Sequence, residues 1–178
     1  MNRRGRSIEG GRECPLQGLW LIVFRRYLVF SAIAHLIWEV LHLPLYAQWQ
    51  AETAFRTALF LARCIVGDVA LALSFLVIAL LLLKAGNWPL HRYRPVGALA
   101  IALGLAGTVL IEWLNVGILK TWAYSDLMPV VPLINAGLSP VAQWLAIPSI
   151  GLWWARRSVS KRARQSSRRA TYAASSGG

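Results

Sequence analysis

A chain of 178 residues with 57% hydrophobic and only 15% charged residues is too apolar for an ordinary soluble domain, where about 45–50% and about 25% are usual. Its apolar residues also come in blocks of about 20, which matches the hydrocarbon thickness of a bilayer, whereas a soluble protein spreads them as stripes. The formal net charge of +12 does not argue for nucleic acid, because the Lys and Arg cluster in the flanks of those blocks and so carry orientation information.

Residues 1–26 read as a basic segment ending in an interfacial lead-in. Leu19 to Phe24 is apolar for only about a turn and a half, and Arg25 and Arg26 are placed to snorkel toward head groups. The segment lacks the small-residue cleavage pattern of a signal peptide, so nothing need be removed. The first predicted span is Tyr27 to Tyr46, YLVFSAIAHLIWEVLHLPLY. The second runs from Ala62 to Leu83 and closes at Lys84. The third runs from Val96 to Leu119, entered after Pro95 and closed by Lys120. The fourth runs from Leu138 to Trp154, where Pro140 and Pro148 predict kinks that neighbouring helices must satisfy. Residues 27–154 thus form an all-α, four-span helical bundle. Residues 155–178 have no apolar periodicity and read as a disordered basic tail. Anionic head groups would hold such a tail with about 1 kcal/mol per basic residue.

Lys and Arg set the orientation. Six precede the first span (Arg3, Arg4, Arg6, Arg12, Arg25, Arg26), three lie between the second and third (Lys84, Arg92, Arg94), and seven follow the fourth. The remaining connections hold only Arg56, Arg63 and Lys120. Both termini are therefore expected in the cytoplasm, with the bilayer and its anionic lipids as the partners and no nucleic acid. Cys14 and Cys64 then face different compartments, so no intrachain disulfide is expected.

Of seven acids in the chain, Glu39, Asp68 and Glu112 fall inside spans. Each costs about 2.5–3.5 kcal/mol on insertion scales, and intramembrane ionisable groups are functional candidates by default. With a rise of about 1.5 Å per residue, these acids and Gln143 lie within roughly 7–11 Å of the outer boundary. In the stretch HLIWEVLH, His35, Glu39 and His42 are offset by four and three residues and share a helix face. Ser31 continues that face inward, and Asn115 shares a face with Glu112.

His35, Glu39, His42, Asp68, Glu112, Asn115 and Gln143 are thus predicted to form one polar layer that binds or moves a proton, a metal ion or a small polar solute. His35, Glu39 and His42 are ligand types that a divalent metal accepts, although their reach is longer than that of H-E-x-x-H. The same groups suit a proton relay. Their bland role is to fix helix register, at about 0.6 kcal/mol per hydrogen bond. A membrane enzyme acting on a lipid or isoprenoid is the alternative, with Glu39 or Glu112 as general acid beside Trp38 or Trp113.

Among the other Trp, Trp20, Trp88, Trp153 and Trp154 suit an inner aromatic belt, and Trp49, Trp113, Trp122 and Trp144 an outer one. The inner halves of the spans offer little beyond Ser31, Ser74 and Thr108, so a complete inward path would require a homo-oligomer. The stretch Lys120 to Pro140 is too apolar for a solvated linker and too proline-broken for a span. It reads as a lid over the outer face, with Trp122 and Tyr124 at the head groups and Asp126 capping a turn near Leu127.

The stretches HLIWEVLHLPLY, CIVGDVALAL, EWLNVGILKTWAYSDLMP and GLSPVAQWLAIP together resemble an uncharacterised family of small bacterial four-span inner-membrane proteins. That resemblance covers about Phe30 to Arg157 and implies a bacterial inner membrane, without implying any chemistry.

Overall fold

The structure, a computed structural model, describes residues 14–47 and 53–175. Arg3, Arg4, Arg6, Arg12 and Trp49 lie outside the described residues, as do the side chains that follow Arg157. The described chain is built on four helices: α1 (Cys14–His42), α2 (Ala54–Leu82), α3 (Tyr93–Glu112) and α4 (Leu138–Ser175). Among the described residues three segments are long and apolar enough to cross a bilayer, Gly18–Leu45, Ala54–Leu82 and Tyr93–Ile118. Each of α1 and α3 packs against both α2 and α4.

Local chemistry explains where the helices run and corrects the expected boundaries. No Pro or Gly interrupts the chain between Gly18 and Pro44, so Leu19 to Phe24 is not a separate lead-in but part of one continuous α1. The helix stops at His42 because Pro44 has no N–H to donate, and Leu43–Leu45 closes as a 3₁₀ turn. At the start of α2, Thr53 is the N-cap, its Oγ1 accepting from Arg56 N at 3.4 Å. This adds about two turns ahead of Ala62, the expected start.

Helix α3 follows Arg92, which is left-handed at φ 56°, and beyond Glu112 it widens into a π-helical segment, Trp113–Ile118. Such widenings are rare and cluster at functional sites. In α4, Pro140 occupies the first turn, where its missing N–H costs no helical bond, so the kink expected there is not required. Pro148 is interior, and Ser149 Oγ donates to Leu145 O at 2.6 Å beside it. The helix then continues to Ser175 through the segment read as a disordered tail. No Gly or Pro stands between Gly151 and Gly177 to stop it, and Arg, Lys, Ala and Gln are good helix formers.

The packing is inverted relative to a soluble protein. On α1 the buried face is Val23, Tyr27, Ser31, His35, Glu39, with one residue every four, while Leu21 and Leu41 are 72% and 74% exposed. Val66 on α2, Leu81 on α2 and Ile118 after α3 are likewise exposed. Apolar side chains outside and polar ones inside is the arrangement of a membrane protein.

The aromatic residues divide differently from the expected belts. Trp88 is buried, stacked on Tyr93 at 5.5 Å and edge-on to Trp20 at 5.4 Å, and Trp144 is buried at the other end of the helices. These two are core residues. Trp153 and Trp154 do sit beside charge, with Arg157 3.5 Å and Arg26 4.2 Å from their ring centroids.

Candidate functional site

The four-residue step along α1 carries its polar stripe toward α2 and α4. There the Gln143 amide, buried on α4, joins three helices. Its Nε2 donates to Glu39 Oε1 at 3.1 Å and Asp68 Oδ2 at 3.3 Å, and lies 2.9 Å from His35 Nδ1. His35 Nδ1 is itself 3.3 Å from Asp68 Oδ2. His35 Nε2 is buried without a partner, so the neutral ring is best placed with its proton on Nδ1, where Asp68 accepts it.

A directed chain approaches Glu39 from the other side. Trp38 Nε1, which can only donate, bonds Ser139 Oγ at 3.1 Å. Ser139 Oγ lies 3.0 Å from His42 Nδ1, and His42 Nε2 lies 3.1 Å from Glu39 Oε2. With a pure donor at one end and a carboxyl at the other, the chain runs from Trp38 to Glu39, and His42 holds its proton on Nε2.

Glu112 is held by the lid. The residues after Ala123 fold back and pair with the end of α1: Tyr46 and Tyr124 form an antiparallel bridge, Ala47 N donates to Ala123 O at 2.9 Å, and Ser125 N donates to Leu45 O at 2.9 Å. Val130–Val131 pairs antiparallel with Ala136–Gly137 to make a small hairpin just before α4. Gly137 N donates to Tyr124 Oη at 2.8 Å, so the Tyr124 hydroxyl turns its own hydrogen to Glu112 Oε2. Tyr46 Oη donates to Glu112 Oε1 at 3.4 Å. Burial, then Glu112, pushes the Tyr124 hydroxyl above its ordinary range and keeps it a protonated donor. The cap assigned to Asp126 belongs to its neighbour, since Ser125 Oγ accepts from Leu127 N at 3.3 Å and donates to Pro44 O at 3.0 Å.

These groups surround a cavity of about 500 Å³. Of the seven residues singled out from the sequence, Glu39, His42, Asp68, Glu112, Asn115 and Gln143 all form part of its wall. His35 stands behind it, fully buried, orienting Asp68. Asn115 faces a different neighbourhood from the acids, bonding Ile111 O at 2.8 Å and Thr121 Oγ1 at 2.5 Å.

His35, Glu39 and His42, the possible metal ligands, are not drawn into one cluster. The two imidazoles turn to different carboxyls, Asp68 and Glu39, and among the described residues no three His, Cys, Asp or Glu converge as a metal site. Each intramembrane acid instead has two protein partners: His42 and Gln143 for Glu39, His35 and Gln143 for Asp68, Tyr46 and Tyr124 for Glu112. Those contacts offset the cost of burying a carboxyl.

Sequence reading missed Tyr46, Ser139 and Tyr124 as partners of these acids. Tyr46 lies four residues beyond His42 and extends the same stripe, which is the one local signal available. Ser139 and Tyr124 arrive through chain reversal. No family model, no curated protein and no solved structure matches this chain, so its function is to be read from its own geometry.

Proposed function

We propose that this protein is a four-span bundle of the bacterial inner membrane, with both termini in the cytoplasm, whose outer-half cavity binds a small polar solute with an apolar part. One observation carries the reading. Acids from three helices line a single volume of about 500 Å³, within the range of roughly 300–1,000 Å³ that organic ligands occupy and far larger than a bare ion needs. The wall combines Glu39, Asp68, Glu112 and Gln143 with Phe60, Leu71, Ile111 and Trp144. Polar groups fixed in advance by their partners bind without a large ordering cost. The loop from Thr121 to Gly137 then acts as the cover, because it contributes Trp122 to the wall and Tyr124 to Glu112.

A second reading has support from the same cover. Glu112, flanked by two tyrosine hydroxyls and facing the cavity, has the surroundings of a general acid acting on a lipid or isoprenoid.

The test is thermal unfolding of the detergent-purified chain against a panel of small amines, amino alcohols, sugars and carboxylates. A true ligand at about a hundredfold excess over its Kd stabilises by about 2.7 kcal/mol. At least one chemical class is expected to stabilise the wild type and to lose its effect in Gln143→Leu. Stabilisation by none of them sinks the reading. Stoichiometric metal by elemental analysis, lost in Glu39→Gln, replaces it with an ion site, and conversion of an added lipid extract, detected by mass, replaces it with the enzyme.

A further inference from the structure

Thr108 lies on α3 one helical turn before Glu112 and is 6% exposed. A threonine inside a helix ordinarily spends its hydroxyl on the carbonyl one turn back. The buried Thr108 Oγ1 has no partner among the described residues, and Thr108 lines the same cavity as Asp68 and Glu112. A buried hydroxyl left unbonded costs about 1–3 kcal/mol unless something in the cavity accepts or donates to it.

The charge around that hydroxyl is lopsided. Glu39, Asp68 and Glu112 supply three carboxyls to the wall, against Arg63 and His42 as its basic side chains. In a low-dielectric layer, carboxyls are compensated by a neighbouring positive group with N–H donors. Gln143 gives its amide hydrogens to Glu39 and Asp68, and His42 and His35 add one contact to each, which of about four acceptor sites per carboxylate leaves some open to an occupant. Trp122 and Trp144 stand in the same wall, and aromatic rings can attract cations.

We propose that the occupant is a small organic cation, an ammonium or amidinium group on an apolar body. Its N–H groups would meet Asp68 and Glu112, Thr108 Oγ1 would accept a further one, and its body would lie against Leu71 and Trp144. This inference rests on the solute reading above and narrows it to one chemical class.

Three probes of similar shape and different charge separate the classes: phenethylammonium, 2-phenylethanol and 3-phenylpropionate, titrated calorimetrically into the purified full-length chain at pH 7. The ammonium is expected to bind at least tenfold more tightly than the alcohol, with no binding of the carboxylate. Asp68→Asn is expected to weaken the ammonium tenfold or more. Thr108→Val, which keeps the shape and removes the hydroxyl, is expected to weaken it several-fold while leaving the unfolding temperature of the unliganded protein unchanged or higher, since the unbonded hydroxyl is gone. Equal binding of the alcohol or the carboxylate overturns the cation and leaves the solute site standing. Binding of none of the three also overturns the cation, whereas the broader panel decides the reading beneath it. If Thr108→Val fails to fold, the three-probe comparison on the wild type still separates a cation site from a neutral or anionic one.

Discussion

Tyr124 and Tyr46 differ from an ordinary surface tyrosine in what their hydroxyls must do. Each donates to Glu112, and Tyr124 also accepts from Gly137 N, so loss of either proton places two negative oxygens side by side. For Tyr124, burial comes first and Glu112 second in pushing the hydroxyl above the ordinary value of 10.0. The folded state therefore favours the protonated form. Its contribution is fully present below the ordinary tyrosine value and is lost as pH rises from there through the raised folded value. Stability measured by chemical denaturation is expected to be insensitive to this residue's titration from pH 6 to 9 and to fall above about pH 10. Tyr124→Phe removes the donor to Glu112 and is expected to cost about 1–3 kcal/mol at pH 7, with a shallower alkaline fall. An alkaline limb of equal steepness in the variant counts against the lid contact. Much at this scale was readable in advance: the offsets in HLIWEVLH put His35, Glu39 and His42 on one face because helical periodicity is local. Ser139 was not readable, since its contacts with Trp38 and His42 span about a hundred positions of chain.

The elements hold that face in place through close approaches of backbone to side chain. A Cβ built on Gly104 of α3 would lie 2.5 Å from Trp144 Cε3 on α4, nearer than real Cβ contacts come. Trp144 in turn packs 5.7 Å from the His35 ring and 5.9 Å from Phe75, measured between centroids. Gly104 therefore sets how closely α3 and α4 approach, and through Trp144 how His35 stands behind Asp68. Small residues at such crossings are the means by which membrane helices pack without a hydrophobic driving force. Gly104→Ala is expected to destabilise by about 1–3 kcal/mol through overpacking against a rigid ring. Gly67→Ala on α2 is its control, because nothing lies within 4 Å of an added Cβ there. It is expected to leave the unfolding temperature unchanged or slightly higher, since Ala is the better helix former. A Gly104→Ala protein as stable as wild type counts against this account of the crossing. Hydropathy located the three apolar helices but misjudged their ends, because it marks greasy residues and not the hydrogen-bonded helix. Thr53 and Arg56 belong to α2 through a cap that no hydropathy scale sees, and the π-helical segment after Glu112 left no trace in residue spacing.

At the scale of the molecule, the question is what α4 does with respect to the bilayer. Among the described residues three segments are apolar enough to cross, and three crossings would put the six basic residues before the first span and the seven that follow Trp154 on opposite sides, against the usual bias of Lys and Arg toward the cytoplasm. A fourth crossing puts them on one side together with Lys84, Arg92 and Arg94. Packing favours that arrangement. Near its start α4 meets the cavity through Gln143, and further along its Leu152 carbonyl accepts from Tyr93 Oη at 2.5 Å, at the beginning of α3. Over this stretch it packs along α3, which belongs to a segment apolar enough to cross, and buries Ile147, Pro148 and Ala155. These contacts along α3 support the proposed fourth crossing for the part of α4 between Gln143 and Leu152. The expected outcome, in a background carrying Cys14→Ser and Cys64→Ser, is that a membrane-impermeant maleimide labels Asp126→Cys from outside and leaves Asn87→Cys unmodified. Alkaline phosphatase fused after Gly178 is expected to be inactive, and green fluorescent protein fused there to fluoresce. Active phosphatase at that end requires α4 to stop short of the far surface, which separates Gln143 from the depth of Asp68 and takes the amide out of the three-helix junction.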